Sequence, residues 1–336
     1  MKKLVCVEPG RFAYEEADIP IPGKGESLLR IRKIGICGTD IHAFAGRQPF
    51  FTYPRVLGHE VAADYVEGDA TEFAPGDKVT VIPYFTEGKD IASRMGKPNC
   101  TNDMRVLGVH IDGAMAEYVV VPSHALRKEE ELDYDDLVLV EPLSIGAHGI
   151  QRGGIIPEEF VLVMGAGPIG LGIIALANIA GGKVIALDVD DSRLAYAKDL
   201  GASYTVSARD TDVQEQLATI TNGDMPTLLF DATGNTAAIN NAFQYMAHGA
   251  RYVLVGLQKE EIHFSHPEFH KREGTLMSSR NALGSDFEYV MQRLQDKSLD
   301  AQQFITRRVS FAEAADLFTD NNKPLLSGIK TIIEFD

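Results

Sequence analysis

The sequence predicts an α/β protein of two domains, one a doubly wound parallel sheet and the other β-rich. Three observations carry this. At 336 residues the chain exceeds what a single core usually holds. The segment FVLVMGAGPIGLGIIALANIAGGKVIALDVDDSRLAYAKDLGA alternates buried strand, helix, strand and helix, the pattern of a parallel sheet with crossover helices. The first 125 residues read differently, as short β-branched runs broken by Gly, Pro and Asp.

In order along the chain, SLLRIRKIG, KVTVIPY and AEYVVVP are strands of the first domain, with loops at IPIPGKG, APGDK and MGKPN. LSIGAHGIQRGG is a short helix with Pro142 in its first turn, where a missing N–H costs little. TLLFDATGN and ARYVLVGL are later strands ending in turns. DFEYVMQRLQDK is an amphipathic helix, and GIKTIIEF is a closing strand expected to rejoin the first domain. The expected boundaries are 1–146 with 287–336 for the β-rich domain, and 147–286 for the parallel-sheet domain.

Composition excludes several classes. A net charge of −16 repels nucleic acid and anionic membranes at long range. The apolar run LVCV near the start ends at Glu8, which is no signal peptide, and no run approaches the roughly 20 apolar residues of a membrane span. Cys6, Cys37 and Cys100 are odd in number and far apart, which fits a reducing, cytoplasmic setting.

VLVMGAGPIG runs a strand into Gly165, Gly167 and Gly170, with Pro168 and Ile169 opening the helix. Gly165 permits the tight turn, Gly167 admits a pyrophosphate and Gly170 lets helix and strand pack closely. Asp188 ends the next strand where a carboxylate would take adenosine ribose hydroxyls, which favours NAD over NADP. Arg193 either stacks on the adenine or is a solvated helix residue. Ala232, Val255 and Ser279 end later strands at the carboxyl edge, where such Rossmann sheets bind ligands. The bland alternative is such a domain with an empty or different ligand site.

Cys37 in GICGTDIH, His59 and Glu60 in GHE, and Glu141 in VEP offer thiolate, imidazole and carboxylate, a donor set that suits zinc with one position left open. Each alone has a plainer reading as core cysteine, structural histidine or helix-terminal acid. GICGTDIH, YPRVLGHE, VEPLSIGAH and GAGPIGLG, in that order, resemble the zinc-dependent medium-chain alcohol and polyol dehydrogenases essentially from end to end. The resemblance implies a GroES-like first domain, one catalytic zinc facing the nicotinamide, and assembly as a homodimer or homotetramer. It implies that Cys37 and His59 bind the zinc and that Glu60 binds it directly or from one layer out. Glu141 is then a ligand or holds a zinc-bound water. Thr39 and His42 are spaced as a hydroxyl-to-imidazole proton path, as in similar enzymes; otherwise His42 is an ordinary loop residue.

Many relatives carry a second, structural zinc on four cysteines. Here the matching positions hold Glu87, Asp90, Ser93 and Thr101, with Cys100 one place early, so no structural zinc is expected. QPFFTYPRVLGHE, VLGVHIDGAMAEY, PEFHKRE and SSRNA resemble the sugar-acid branch, including L-galactonate 5-dehydrogenases. A sugar acid calls for a cation, and Lys271, flanked by His270 and Arg272, and Arg280 are candidates to hold its carboxylate. Phe50, Phe51 and Tyr84 are candidates for an apolar wall. The expected function is NAD-dependent oxidation of a secondary hydroxyl of a sugar acid or polyol. The alternatives are a threonine-type or simple secondary-alcohol dehydrogenase, a non-catalytic NAD-binding sensor, and a zinc-free quinone reductase.

Overall fold

The computed structural model describes residues 1–48, 51–318 and 328–336. They form two compact units, Met1–Glu141 with Leu283–Asp336, and Pro142–Ala282. The first unit begins with β1 (Lys2–Glu8), β2 (Arg11–Glu16), β3 (Glu26–Gly35) and helix α1 (Gly38–Phe44). There follow β4 (Arg55–Val56), β5 (Glu60–Gly68), β6 (Lys78–Val81), β7 (Tyr84–Phe85) and helix α2 (Ile91–Arg94). Then come β8 (Arg105–Val106), β9 (Tyr118–Pro122) and β10 (Leu126–Arg127). β3 is the organising strand. It pairs antiparallel with β5 and β9, and its apolar side chains Leu29, Ile31 and Ile34 are fully buried in a continuous core with Leu4, Val61 and Val79.

Helix α3 (Tyr134–Gly153) differs from the short helix expected after Pro142: it starts two turns earlier and carries that proline inside. Asp133 explains the early start, because its Oδ1 accepts from the N–H groups of Asp135 at 2.8 Å and Asp136 at 2.9 Å. Pro142 removes one intrahelical hydrogen bond. Burial of the residues on both sides, Leu137–Glu141 and Leu143–Ser144, offsets that loss.

The second unit is built on β11 (Phe160–Met164), β12 (Lys183–Asp188), β13 (Tyr204–Ser207), β14 (Leu228–Asp231), β15 (Arg251–Leu254) and β16 (Thr275–Ser278). Between them run α4 (Pro168–Ile179), α5 (Asp191–Asp199), α6 (Val213–Ile220), α7 (Thr236–Ala242) and α8 (His266–Lys271). All pairs are parallel, in the order β13-β12-β11-β14-β15-β16. This is the doubly wound arrangement, whose strand order reverses beside β11.

The chain then returns to the first unit through α9 (Gly284–Gln295), β17 (Ile305–Ser310) and β18 (Lys330–Glu334). β18 pairs antiparallel with β3, Ile332 opposite Gly35, and so brings Lys330 to the end of β3 that carries Cys37. Among the described residues no helix is long and apolar enough to cross a membrane.

Candidate metal centre and cofactor edge

Cys37, His59 and Glu60 meet because β3 and β5 are neighbours and both reach the site at one end. Gly35 of β3 lies opposite Glu60 of β5. Gly35 has to be glycine: a Cβ there would fall 1.9 Å from Glu60 Oε2, so the bare backbone is what gives the carboxylate room. Cys37 caps α1, and its N–H donates to Asp40 Oδ2 at 2.9 Å. The other oxygen of Asp40 accepts from the Gly58 N–H at 3.2 Å, tying the cysteine turn to the segment that carries His59. Asp40 is buried, 1% exposed, and burial raises its pKa against the opposing pull of His59 and the two N–H groups.

The donor atoms of Cys37, His59 and Glu60 all lie within 4.8 Å of one another, within reach of one small cation. His59 Nδ1 is buried without a hydrogen-bond partner, 3.9 Å from Asp40 Oδ1. An orphaned buried nitrogen costs about 1–3 kcal/mol unless something occupies or charges it. Burial alone would depress the His59 pKa. The Cys37 thiolate, which also hydrogen-bonds the ring, and the carboxylates of Asp40 and Glu141 outweigh it and hold the pKa well above its ordinary value. The site is therefore an anionic, largely buried cage that draws positive charge, and its residues fit a zinc ion.

Two buried glutamates flank the cage and are held differently. Lys330 donates to both oxygens of Glu60, at 2.6 and 2.7 Å, and to the Ile36 carbonyl at 3.3 Å. Burial would lower the Lys330 pKa, but the charges of Glu60 and Cys37 raise it, so the ammonium persists. Glu141, on α3, stays outside the 4.8 Å group and accepts a short hydrogen bond from the Tyr84 hydroxyl. Burial, together with repulsion from Glu60, raises the Glu141 pKa; burial and the charge of Glu141 hold the Tyr84 phenol well above its own. Tyr84, expected as part of an apolar wall, turns its hydroxyl to the Glu141 carboxylate.

Lys330 and Asp40 were missed by sequence reasoning. Their signals are a lysine inside the apolar strand IKTII and an aspartate three residues beyond the cysteine, at the third helical position that reaches back to a cap. Thr39 and His42 lie three apart on α1, hence on one face; Thr39 is half-buried and His42 exposed. Phe50 lies outside the described residues, and Phe51, partly buried, packs edge-on to Tyr53 against the core of the first unit.

In the second unit the glycine turn follows β11. A Cβ on Gly170 would fall 1.7 Å from the Gly165 carbonyl oxygen, so the close approach expected of that position is present. Gly167 caps α4, with Pro168 and Ile169 as its first residues. Asp188, 7% exposed at the end of β12, accepts from the Ala166 N–H at 2.6 Å and the Asp190 N–H at 2.8 Å, which fixes it against the turn. The Arg193 guanidinium reaches the space over Gly167, 3.9 Å from where a Cβ would sit. Ala232, Val255 and Ser279 each stand one residue past β14, β15 and β16, on the same edge as the turn. Lys271, on α8, and Arg280, after β16, are exposed side chains of this unit.

A nucleotide-type doubly wound sheet in one unit and a thiol–imidazole–carboxylate cage in the other define the class of metal-assisted nicotinamide dehydrogenases. Residues 168–296 match the zinc-binding dehydrogenase family, and residues 23–131 match the alcohol dehydrogenase GroES-like domain. The L-galactonate-5-dehydrogenase of Escherichia coli K12 is 39% identical over 336 residues, covering 98% of this chain and 99% of its own. The starvation-sensing protein RspB of the same strain is 34% identical over 344 residues, covering 99% and 100%. A crystal structure described as a short chain alcohol dehydrogenase (rspB) from E. coli CFT073, complexed with NADH, superposes with a TM-score of 0.93 at 31% identity over 100% of this chain and 99% of its own. The chain belongs to the zinc-type medium-chain alcohol dehydrogenase family, oxidoreductases of CH–OH groups that use a nicotinamide cofactor.

Proposed function

We propose that this enzyme oxidises a secondary hydroxyl of a sugar acid or polyol of the L-galactonate kind, with NAD as hydride acceptor and one catalytic zinc. The observation that carries the chemistry is the convergence of Cys37, His59 and Glu60 around an unpartnered buried His59 nitrogen. When bound there, zinc supplies Lewis acidity that makes a substrate hydroxyl easier to deprotonate, and NAD takes the hydride.

The protein's own part is to hold, orient and move protons. Cys37, His59 and Glu60 hold the ion, and Lys330 holds the Glu60 carboxylate in place. Thr39 and His42 carry the released proton from the half-buried hydroxyl to the exposed imidazole. Gly165, Gly167, Pro168, Ile169 and Gly170 receive the pyrophosphate, Asp188 the ribose hydroxyls and Arg193 the adenine, with Ala232, Val255 and Ser279 lining the same edge. The carboxylate at the end of β12 supports NAD over NADP, because it would repel a 2′-phosphate. Lys271 and Arg280 are our candidates for the substrate carboxylate. The likeness to L-galactonate-5-dehydrogenase supports a sugar acid. The three widely separated cysteines support a cytoplasmic protein, and the family resemblance supports a homodimer or homotetramer.

The name of the starvation-sensing relative favours a second reading, a nucleotide-binding sensor without turnover. The test is NADH formation on sugar acids, polyols, threonine and simple secondary alcohols, before and after chelation. A sugar acid or polyol should react fastest and chelation should stop it. Cys37→Ser should lower turnover about a hundredfold or more while NAD binding persists. Zinc-loaded protein inert on the whole panel would favour the sensor. Activity that survives complete zinc removal would refute the metal mechanism.

A further inference from the structure

We propose that Tyr84 is the positioning residue that keeps Glu141 out of the metal's ligand set, so that the position left open by Cys37, His59 and Glu60 stays available to substrate. The inference rests on the reading of that cluster as a metal site. The cage contains more anionic donors than a catalytic site should use. Three protein ligands leave an exchangeable position, whereas a fourth would close a tetrahedral site. Glu60 and Glu141 are both buried, 1% and 4% exposed, so neither is drawn off by water.

What separates them is their partners. Glu60 is clamped by Lys330 and has an oxygen within the 4.8 Å group. Glu141 lies outside that group and takes the Tyr84 hydroxyl on Oε1. Tyr84 is well placed to act as a fixed tether. It sits in β7, paired to Val106 of β8; the preceding Pro83 carbonyl accepts from the Leu107 N–H at 3.0 Å. Its ring packs edge-on against Phe287 of α9, with centroids 6.3 Å apart. A phenol on a paired strand, its ring packed against Phe287, can anchor a carboxylate at a set distance, as a flexible donor could not. Glu141 so placed leaves that position free.

The test uses full-length protein in which cobalt(II) replaces the native metal, with azide as a small probe of the open position. Tyr84→Phe should alter the visible ligand-field spectrum and weaken azide binding about ten- to a hundredfold, as Glu141 closes onto the metal. Tyr84→Phe with Glu141→Gln should restore both, and Glu141→Gln alone should leave the spectrum as in the wild type. A wild-type spectrum and azide affinity in Tyr84→Phe would overturn the proposal. So would an altered spectrum in Glu141→Gln alone, which stays informative even where Tyr84→Phe fails to fold. Failure of the underlying reading looks different: the wild type takes up no cobalt, or Cys37→Ser binds it equally well, and the role of Tyr84 falls with it.

Discussion

In the lobe between β7 and β8, Asp90 and Asp103 are both fully satisfied by nearby donors. Asp90 accepts from the Ser93 N–H at 3.0 Å and the Asn102 N–H at 2.9 Å. Asp103 accepts from the Thr86 hydroxyl at 2.6 Å and the Glu87 N–H at 2.8 Å. Glu87 is exposed and paired with Lys89. In the cage around Cys37 the carboxylates are buried, held by a lysine and a phenol, and the imidazole beside them keeps a nitrogen unpartnered. The two regions hold similar numbers of acidic groups and differ in what those groups still need. Acidic side chains in a loop close hydrogen bonds and bridge chain segments. Buried anions around an orphan nitrogen leave a demand for charge that a cation meets. A metal site is marked by unmet need rather than by a count of carboxylates.

The largest break in that contrast should come from Lys330→Met. It leaves Glu60 buried beside Cys37 and Glu141 without its cation, and loss of one partner of a buried ion pair costs about 3–5 kcal/mol. Urea unfolding of metal-free protein should register the loss, and added zinc should recover part of it, because the ion binds the folded state and supplies the missing charge. A variant as stable as the wild type without zinc would mean the cage is less anionic than its geometry requires.

A smaller effect, confined to the other region, is expected of Asp90→Asn and Asp103→Asn. Each replaces an accepting oxygen by a group that cannot accept, so one bridge across the lobe opens. Limited proteolysis should cut between Thr86 and Asp103 several-fold faster, with zinc content unchanged. Loss of zinc from either variant would join the two regions into one metal-dependent system and end the distinction between them.

The two regions also differ in how far the sequence disclosed them. The places of GAGPIG and Asp188 in the fold were legible because a turn, a helix start and a strand end are local. Cys37, His59 and Glu60 were legible as residue types, and their convergence needed the β3–β5 pairing. Lys330 was not, since it comes from a strand whose register places it 270 residues from Glu60. The role of Tyr84 was hidden for a similar reason. An aromatic in a loop reads as packing until the partner of its hydroxyl, on a helix 57 residues away, is known. The start of α3 is not legible because a proline ordinarily marks a helix's first turn, whereas burial on either side of Pro142 lets this helix run through it.

Acid and alkali should separate the regions by sign. Asp90 is held below the ordinary carboxylate range by the Ser93 and Asn102 N–H groups, and Asp103 by the Thr86 hydroxyl and the Glu87 N–H. A folded-state pKa below the unfolded value, about 3.9, makes their contribution complete above that value and lost as pH falls through the folded one. His59 runs the other way. With its pKa raised in metal-free protein, its contribution is complete below about 6.5 and lost as pH rises through the folded value. Below about pH 4, an acid-active protease should therefore cut the lobe before the rest of the chain. The metal-free cage should instead weaken on the alkaline side, and zinc should abolish that alkaline loss by replacing the proton as the bound cation. This is the subtlest of the expected effects, because the lobe carboxylates are solvent-screened and each holds few bonds. A lobe that opens in alkali, or an alkaline loss that zinc leaves unchanged, would show that hydrogen-bond satisfaction does not divide the two regions.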